Sequence, residues 1–396
     1  MSPLSDRALQ TRPFHVMALL ARAHAVRARG LQTVSMVVGE PDFPTPAPIL
    51  RAAQAALAQQ GQHYTDALGS MALRQAIAQD YADRDGLAID PGRIAVTAGA
   101  SAALLLIMGA LINPGDEVLI ADPGYPCNRQ FILAMGGVPK PLVVSPEHHF
   151  APTAEQVAAA WGPRTKALLL ASPANPTGCL LPLEQARAID RVVREKGGWF
   201  IADEIYLRLC FQAKPKSLLS FGDHLISVNS FSKTYSMTGW RLGWMVAPAA
   251  VIEVVERLAQ NWFISPASLP QQAALAAFTP ETQAVVETYR QAYAAQAAFV
   301  LPRLEALGFL VPARPDGAFY AYCDVSALTQ SSYDLCLTAC DELGVLLAPG
   351  RDFSDHQAER YLRVSFPKPI EVLSEGLDRL ERYFLGRKAR QTDSSV

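Results

Sequence analysis

Short apolar runs alternate along the chain with longer segments of helical periodicity. Most of these runs have the length of buried strands, about four to eight residues. They lie at 31–38, 94–97, 116–121, 167–171, 199–202, 225–229, 242–247 and 361–366. Alanine- and leucine-rich segments that predict helices lie at 14–29, 48–60, 73–78, 251–262, 265–278 and 281–307. Strands that alternate with helices in this way indicate an α/β fold with a mostly parallel sheet.

Polar or small residues follow several of the apolar runs closely. They are Gly99, Tyr125, Asn175, Asp203 and Lys233. In open, mostly parallel sheets, ligands bind beyond the carboxyl ends of the strands. The sequence therefore places these residues around one crevice.

The segment around Lys233 carries the most specific chemistry. An apolar run leads into Ser230, Ser232 and Lys233, and Arg241 follows eight residues after the lysine. A buried lysine is unfavourable unless it has a function, and an amine with a lowered pKa forms Schiff bases with carbonyls. Two hydroxyls and a planar guanidinium suit a phosphate. An aldehyde that also carries a phosphate, pyridoxal phosphate (PLP), would use all four groups. The alternative is a surface lysine in a serine-rich turn, since so short a motif also occurs by chance.

Three further features fit such a cofactor. The small residues Gly99, Ala100 and Ser101 form a turn that opens a helix, where free amides and the helix dipole favour an anion. Asp203 ends an apolar strand and needs a partner, which a protonated pyridine nitrogen would supply. Arg363 lies inside another apolar run and also requires a partner. That partner is either the carboxylate of a substrate or a buried Asp or Glu.

The stretch from Ser230 to Trp244 resembles the lysine segment of class I aminotransferases, which are fold-type I PLP enzymes. Further matches follow the order of that family from about Gly39 to Arg363. The resemblance implies an α/β fold whose large domain, at 46–285, has a mostly parallel seven-stranded sheet sandwiched by helices. A smaller α+β domain would be formed by both chain ends, 1–45 and 286–396. The resemblance also implies a homodimer with both active sites at the subunit interface.

The resemblance assigns a role to each candidate residue. Lys233 would bind PLP and move a proton, Asp203 would keep the ring nitrogen protonated, and Tyr206 and Asn175 would reach the phenolic oxygen. Tyr125 would stack on the ring. The groups near the phosphate would be Gly99, Ala100, Ser101, Ser230, Ser232, Arg241 and, from the partner subunit, Tyr64. The substrate would be bound by Gly39, Asn175 and Arg363.

The implied activity is a ping-pong transfer of the α-amino group of an amino acid to a 2-oxo acid through an aldimine mechanism. A β-eliminating lyase of the same fold would share the cofactor residues, so the sequence discriminates poorly between the two reactions. A catalytically silent PLP-binding regulator is a third possibility, but the presence of Lys233, Asp203 and Arg241 weakens it. The candidate pocket walls together look apolar and favour a neutral or aromatic amino acid. They are Phe14, His15, Val16, Met17, Val38 and Trp262.

Composition and charge argue against nucleic-acid, membrane and metal binding. Half of the 396 residues are hydrophobic and the net charge is −2, so nucleic-acid binding has no electrostatic support. No apolar run reaches transmembrane length and the N-terminus lacks a signal-peptide core, so we expect a cytoplasmic protein without membrane binding. The six cysteines show no CxxC or metal-ligand spacing. The adjacent His148 and His149 have no third ligand nearby in the sequence, so we expect no metal site.

Overall fold

The computed structural model describes residues 4–59, 62–212 and 214–393. Its strands are β1 Val34–Ser35, β2 Ile94–Thr97, β3 Glu117–Asp122, β4 Val138–Val143, β5 Thr165–Ala171, β6 Trp199–Asp203, β7 Ile226–Ser230, β8 Gly243–Val246, β9 Tyr320–Asp324, β10 Val345–Leu346, β11 Ala348–Pro349 and β12 Tyr361–Ser365. Its α-helices are α1 Asp6–Gln10, α2 His15–Ala28, α3 Ala47–Ala58, α4 Met71–Asp85, α5 Ala100–Leu111, α6 Pro126–Ala134, α7 Ala154–Ala160, α8 Leu183–Glu195, α9 Phe231–Thr234, α10 Ala249–Trp262, α11 Ser268–Ala274, α12 Pro280–Ala306, α13 Ser332–Leu343 and α14 Ile370–Asp393. Among these described helices, none has the length and apolar character needed to cross a membrane.

The large sheet has seven strands in the order β2-β8-β7-β6-β5-β3-β4. Only β8 runs antiparallel to its neighbours, which are β2 and β7. Alternate residues of each strand enter two separate cores, as the pleat requires. Val96 packs with Leu73 of α4 on one face, whereas Ala95 packs with Leu104 of α5 on the other. The predicted seven-stranded sheet between helices is therefore confirmed.

The second, smaller unit is built from both ends of the chain. Strand β1 pairs in parallel with β10, and β9, β11 and β12 form an antiparallel sheet. Val34, Leu335 of α13 and Leu377 of α14 share one hydrophobic core. The α+β character predicted for this part is confirmed. Helix α12 spans the position between residues 285 and 286, where the sequence places the domain boundary, and the boundaries themselves stay a prediction.

Two strands differ from the sequence prediction. The apolar run at 31–38 forms a strand only at Val34–Ser35, because its partner β10 is itself only two residues long. The sequence analysis did not predict β4, which contains Pro139 and Pro141. Proline lacks an N–H and is tolerated at sheet edges. Strand β4 is such an edge, since it pairs only with β3.

Candidate active site

Most of the predicted site residues line one cavity of about 330 Å³ at the carboxyl ends of the parallel strands. They are Gly39, Ala100, Ser101, Tyr125, Asn175, Asp203, Tyr206, Ser230, Ser232, Lys233, Arg241 and Arg363. Gly99 immediately precedes α5 and lies beside Arg241. Tyr64 is 84% exposed and does not line this cavity, so within one described chain it stands apart from the other site residues.

Lys233 lies in α9, a single helical turn that directly follows β7. Its Nζ donates a 2.8 Å hydrogen bond to the carbonyl oxygen of Gly39. Burial lowers the pKa of Lys233 to about 8, and the positive charges of Arg363 and Arg241 act in the same direction, while Glu40 opposes them. An amine with this pKa is partly neutral near neutral pH, so Lys233 can act as a nucleophile or a base.

The hydroxyl groups of Ser230 and Ser232 line the cavity close to Lys233. Ser230 Oγ lies 2.9 Å from Ser232 Oγ and accepts a hydrogen bond from the backbone N–H of Ser232. Opposite them, Arg241 adopts a left-handed backbone conformation with φ of 52° and donates from Nη1 to the carbonyl of Thr238. A left-handed arginine carries backbone strain, which is common at functional sites. Hydroxyl, guanidinium and amide donors thus surround one end of the cavity.

Two glycines leave room for these donors to approach each other. A Cβ on Gly99 would lie 2.5 Å from Arg241 Nη2, and a Cβ on Gly243 would lie 2.8 Å from the backbone nitrogen of Ala100. The guanidinium therefore sits directly over the start of the twelve-residue helix α5. Helix N-termini favour anions because their first amides are free and the dipole is positive there. This donor set fits the phosphate of PLP.

Asp203 ends β6 with its carboxylate buried. Its Oδ1 accepts a hydrogen bond of 3.2 Å from the backbone N–H of Ile205, and no cation among the described residues forms an ion pair with it. Burial raises the pKa of Asp203 to about 6, and the neighbouring Glu204 adds to this effect. A protonated ring nitrogen would provide the missing charge partner.

Glu204, the residue after Asp203, is buried and held in place by several hydrogen bonds. Its buried carboxylate accepts hydrogen bonds from Ser217 Oγ at 2.6 Å, from Ser227 Oγ at 2.7 Å and from the backbone N–H of Leu218 at 2.7 Å. These bonds fix the end of β6 on the side away from the cavity. Sequence reasoning missed this role, since the serines lie 13 and 23 residues further along the chain.

Tyr320 is a cavity residue that the sequence analysis did not assign to the site. Its hydroxyl lies 2.7 Å from that of Tyr206, and both side chains are buried. A Cβ on Gly39 would collide with the Tyr320 hydroxyl, which explains the glycine there. An aromatic residue in the apolar run of β9 is indistinguishable in sequence from a core residue. Only the fold shows that its hydroxyl faces the site.

Arg363 projects from β12 into the cavity. Its Nη1 donates to Asn175 Oδ1 at 2.8 Å and its Nη2 donates to the carbonyl of Val37 at 2.7 Å. The guanidinium lies between the rings of Tyr320 and Phe353, at 4.4 and 4.7 Å from their centroids. Burial lowers its pKa, and its Nε has no hydrogen-bond partner. No described carboxylate forms an ion pair with Arg363, so the structural salt bridge considered from the sequence is not found among these residues.

The outer wall of the cavity is only partly as expected. Phe14, Val16 and Met17 line it as predicted, whereas Val38 and Trp262 are not among its described lining residues. Trp262 instead covers Gly109 of α5. His15 turns its ring towards Asp352, with Nδ1 and Oδ1 2.9 Å apart. Within one described chain, Val38, Trp262 and the ring of His15 therefore do not line the cavity, and their assignment to its wall stays a prediction.

Asp352 is the polar residue of this wall, and sequence reasoning did not anticipate it. Its carboxylate accepts hydrogen bonds from the backbone N–H groups of His15, at 2.8 Å, and Val16, at 2.9 Å. It thereby caps the first turn of α2, which has no side-chain cap of its own. The cap holds Phe14 and Val16 at the mouth of the cavity.

Known proteins of similar sequence identify the family of this chain. Residues 32–380 match the family described as aminotransferase class I and II. The chain is 38% identical over 371 residues to the valine–pyruvate aminotransferase of Mycobacterium tuberculosis, covering 93% of this chain and 95% of that protein. It is 35% identical over 390 residues to the aspartate/prephenate aminotransferase of Thermus thermophilus, covering 98% of this chain and all of that protein.

Comparison with solved structures also identifies aminotransferases as similar proteins. A crystal structure of an aminotransferase from Mycobacterium tuberculosis superimposes with a TM-score of 0.93 at 36% identity, covering 98% of this chain and all of that chain. The class defined by fold and site is that of the fold-type I PLP enzymes. The chain belongs to the class I and II aminotransferase family, and it is an aminotransferase.

Proposed function

We propose that this enzyme, with PLP bound through Lys233, transfers the α-amino group of a neutral or aromatic amino acid to a 2-oxo acid. The observation that carries the proposal is the buried guanidinium of Arg363, which faces the same cavity as Lys233 and has no carboxylate partner among the described residues. A substrate carboxylate would supply that partner. The carboxylate is common to all amino acids, so it would set the position of every substrate.

Different residues around the cavity would bind different parts of the cofactor. PLP, when bound, supplies an aldehyde for amines and a ring that accepts the electrons of the substrate Cα–H bond. Lys233 Nζ would bind the aldehyde and afterwards move the proton at the substrate Cα. Asp203 would hold a proton on the ring nitrogen, and the tyrosine pair of Tyr206 and Tyr320 would donate to the phenolic oxygen. Ser230, the start of α5 and Arg241 would bind the phosphate.

The remaining groups would orient the substrate. The guanidinium of Arg363 matches a carboxylate with parallel hydrogen bonds, which sets angle as well as distance. The backbone of Gly39 and the Nδ2 amide group of Asn175, whose Oδ1 accepts from Arg363, would also contact the carboxylate. The side chain would face Phe14, Val16 and Met17. These apolar walls support the preference for neutral or aromatic amino acids.

The active enzyme is proposed to be a cytoplasmic homodimer. Tyr64 is 84% exposed, so its assigned role at the phosphate can only be fulfilled by a second copy of the chain. An exposed tyrosine of this size is also suited to a contact between subunits. We further propose the domain division at 46–285, with 1–45 and 286–396 in the small domain.

A substrate panel tests the proposal. The names of similar proteins refer to valine, aspartate and arginine, so the panel includes these three together with leucine, phenylalanine and cysteine. We expect amino-group transfer to pyruvate or 2-oxoglutarate, with at least about tenfold higher kcat/KM for a neutral or aromatic donor than for aspartate. Release of pyruvate and ammonia from cysteine without a 2-oxo acid would identify a β-eliminating lyase. Loss of both reactions would favour the silent regulator.

Replacing Asp203 with alanine should separate cofactor binding from proton removal. The variant is expected to keep the cofactor attached to Lys233, because Asp203 would contact the ring nitrogen rather than the aldehyde or the phosphate. Removal of the substrate α-proton should slow by about 10²-fold or more, since the ring nitrogen loses its charge partner. Proton NMR of α-hydrogen exchange in D₂O measures this directly.

The matched control is Asp190→Ala. Asp190 is also a buried carboxylate, but it pairs with His224 away from the cavity. Exchange should therefore stay within about threefold of the wild type in that variant. Unchanged exchange in Asp203→Ala would mean that the role of Asp203 has been misassigned.

A further inference from the structure

A second cluster of chemically capable side chains lies behind the loop that carries Asn175. His149, Cys179 and Asp316 each offer one ligand atom, and these atoms lie within 4.8 Å of one another. Within the described residues, no other group of three histidine, cysteine or acidic side chains meets this arrangement. Thiolate, imidazole and carboxylate together form a typical ligand set for zinc. The sequence gives no sign of this set, because Cys179 and Asp316 lie 30 and 167 positions after His149.

Backbone hydrogen bonds fix two of the three ligands relative to each other. The N–H of Asp316 donates to the carbonyl of Gly178 at 2.9 Å, and Asp316 Oδ2 accepts from the N–H of Leu180 at 2.8 Å. Gly178 and Leu180 flank Cys179, so the thiol and the carboxylate are held side by side. A Cβ on Gly178 would lie 2.5 Å from Pro315, which shows how closely the two loops approach.

His149 completes the set from a third loop. Its backbone has a left-handed φ of 52°, and the following Phe150 is buried, with edge contacts to Tyr322 and Tyr361. These contacts anchor the loop, while the imidazole itself is exposed and makes no hydrogen bond with a described residue. An exposed ligand above a buried thiol leaves an open path from solvent to the cluster.

The dimensions suit a small tetrahedral ion. Zinc bonds of about 2.0–2.3 Å place neighbouring ligand atoms about 3.3–3.8 Å apart. The observed separations of up to 4.8 Å therefore need only side-chain rotations to close around an ion. With three protein ligands, the fourth position would be taken by water.

We propose that His149, Cys179 and Asp316 bind one Zn²⁺ per chain. Binding forms bonds from zinc to the imidazole nitrogen, the thiolate and one carboxylate oxygen, and it releases the thiol proton to solvent. The ion would join the loop at 146–152 and the turn at 315–317 to the loop of Asn175. That last loop is closed by hydrogen bonds between Ala174 and Cys179 and between Gly178 and Ala174. The ion would thus stabilise the loop that carries Asn175, the residue whose Oδ1 accepts the hydrogen bond from Arg363.

Cobalt substitution of the tag-free holoenzyme tests the site. Co²⁺ bound tetrahedrally through a thiolate gives intense ligand-field bands in the red, away from the absorbance of PLP. We expect these bands with one Co²⁺ per chain, their loss when Zn²⁺ is added, and one zinc per chain after equilibrium dialysis. The melting temperature of the wild type should also rise with Zn²⁺, because the folded chain alone presents all three ligands.

Three variants that each replace one proposed ligand, together with one control variant, test the zinc site. Cys179→Ser, His149→Gln and Asp316→Asn should each weaken zinc binding by at least about tenfold and remove the zinc-dependent rise in melting temperature. His148→Gln is the matched control, since it removes the adjacent imidazole, and it should bind like the wild type. Absence of the red bands in the wild type would overturn the proposal. So would equal affinity in Cys179→Ser, or an equal loss in His148→Gln.

Discussion

Replacing Lys233 with alanine is expected to abolish turnover while leaving a folded chain that still binds PLP. Lys233 Nζ makes one hydrogen bond, to the carbonyl of Gly39, and burial already disfavours its charged form. Its removal therefore leaves no charge without a partner. The groups proposed to bind the phosphate, Ser230 and Arg241 among them, are untouched. Non-covalent affinity for the cofactor should persist, whereas kcat should fall by at least about 10⁴-fold, because in the proposed mechanism the same amine binds the aldehyde and moves the α-proton.

Two measurements separate these effects. Borohydride reduction followed by peptide mass spectrometry should find the cofactor on Lys233 in the wild type and no covalent adduct in the variant. Equilibrium dialysis should still find about one PLP per chain. Lys196→Ala, at the exposed end of α8, is the control and should retain both the adduct and the activity. Activity close to that of the wild type in Lys233→Ala would end the proposed mechanism.

The part of the site that follows the large sheet could be predicted from the sequence. Gly99, Asn175, Asp203 and Lys233 each come just after an apolar run that forms a strand. Strand formation there depends on local hydrophobicity, and parallel topology then brings the carboxyl ends of the strands together. The structure accordingly places these residues together at the carboxyl ends of the strands.

The groups that come from the chain ends were harder to foresee. The sequence shows that Arg363 lies in an apolar strand but not that it faces Asn175, which is 188 residues away in sequence. Nor does it show that Asp352 caps α2. Such contacts depend on how the two parts of the chain pack, and no local pattern encodes that packing. The cluster of His149, Cys179 and Asp316 could not be predicted for the same reason, because its members lie far apart in the sequence and meet only in the packed fold.

The edge strand β4 shows a different kind of failure. Pro139 and Pro141 argue locally against a strand, and only its position at the edge of the sheet makes them acceptable. By contrast, Ser70 directly precedes α4 and caps it as a serine there favours, since its side chain accepts a hydrogen bond from the backbone N–H of Leu73. Capping depends on residues within one turn, so the sequence is sufficient for it.

Replacing Arg363 with lysine should damage the use of amino acids far more than the binding of PLP. Lysine keeps the positive charge, but a single ammonium group cannot reproduce the planar fork that reaches Asn175 Oδ1, the carbonyl of Val37 and a substrate carboxylate. It also loses the stacking between Tyr320 and Phe353. A hydrogen bond to a charged group contributes about 1.5–3 kcal/mol.

The loss of one to two such bonds corresponds to a fall in kcat/KM of about 10- to 10⁴-fold, since each 1.4 kcal/mol is about tenfold. Both constants should change. The Michaelis constant should rise because the carboxylate is bound less tightly, and kcat should fall because the angle of the Cα–H bond to the cofactor ring is no longer fixed. The affinity for PLP should stay within about threefold of the wild type, since Arg363 is proposed to bind the substrate rather than the cofactor.

The control is Arg360→Lys, the same substitution three residues earlier, where the side chain is 45% exposed and pairs with Asp324. It should change kcat/KM by less than about twofold, because Arg360 does not line the cavity and lysine keeps the positive charge beside Asp324. Steady-state kinetics with the best amino acid of the panel, together with dialysis against PLP, give both quantities for each variant. Equal losses of cofactor affinity and kcat/KM in Arg363→Lys, or loss of folding alone, would show that Arg363 is structural. The carboxylate would then have to be bound elsewhere in the cavity.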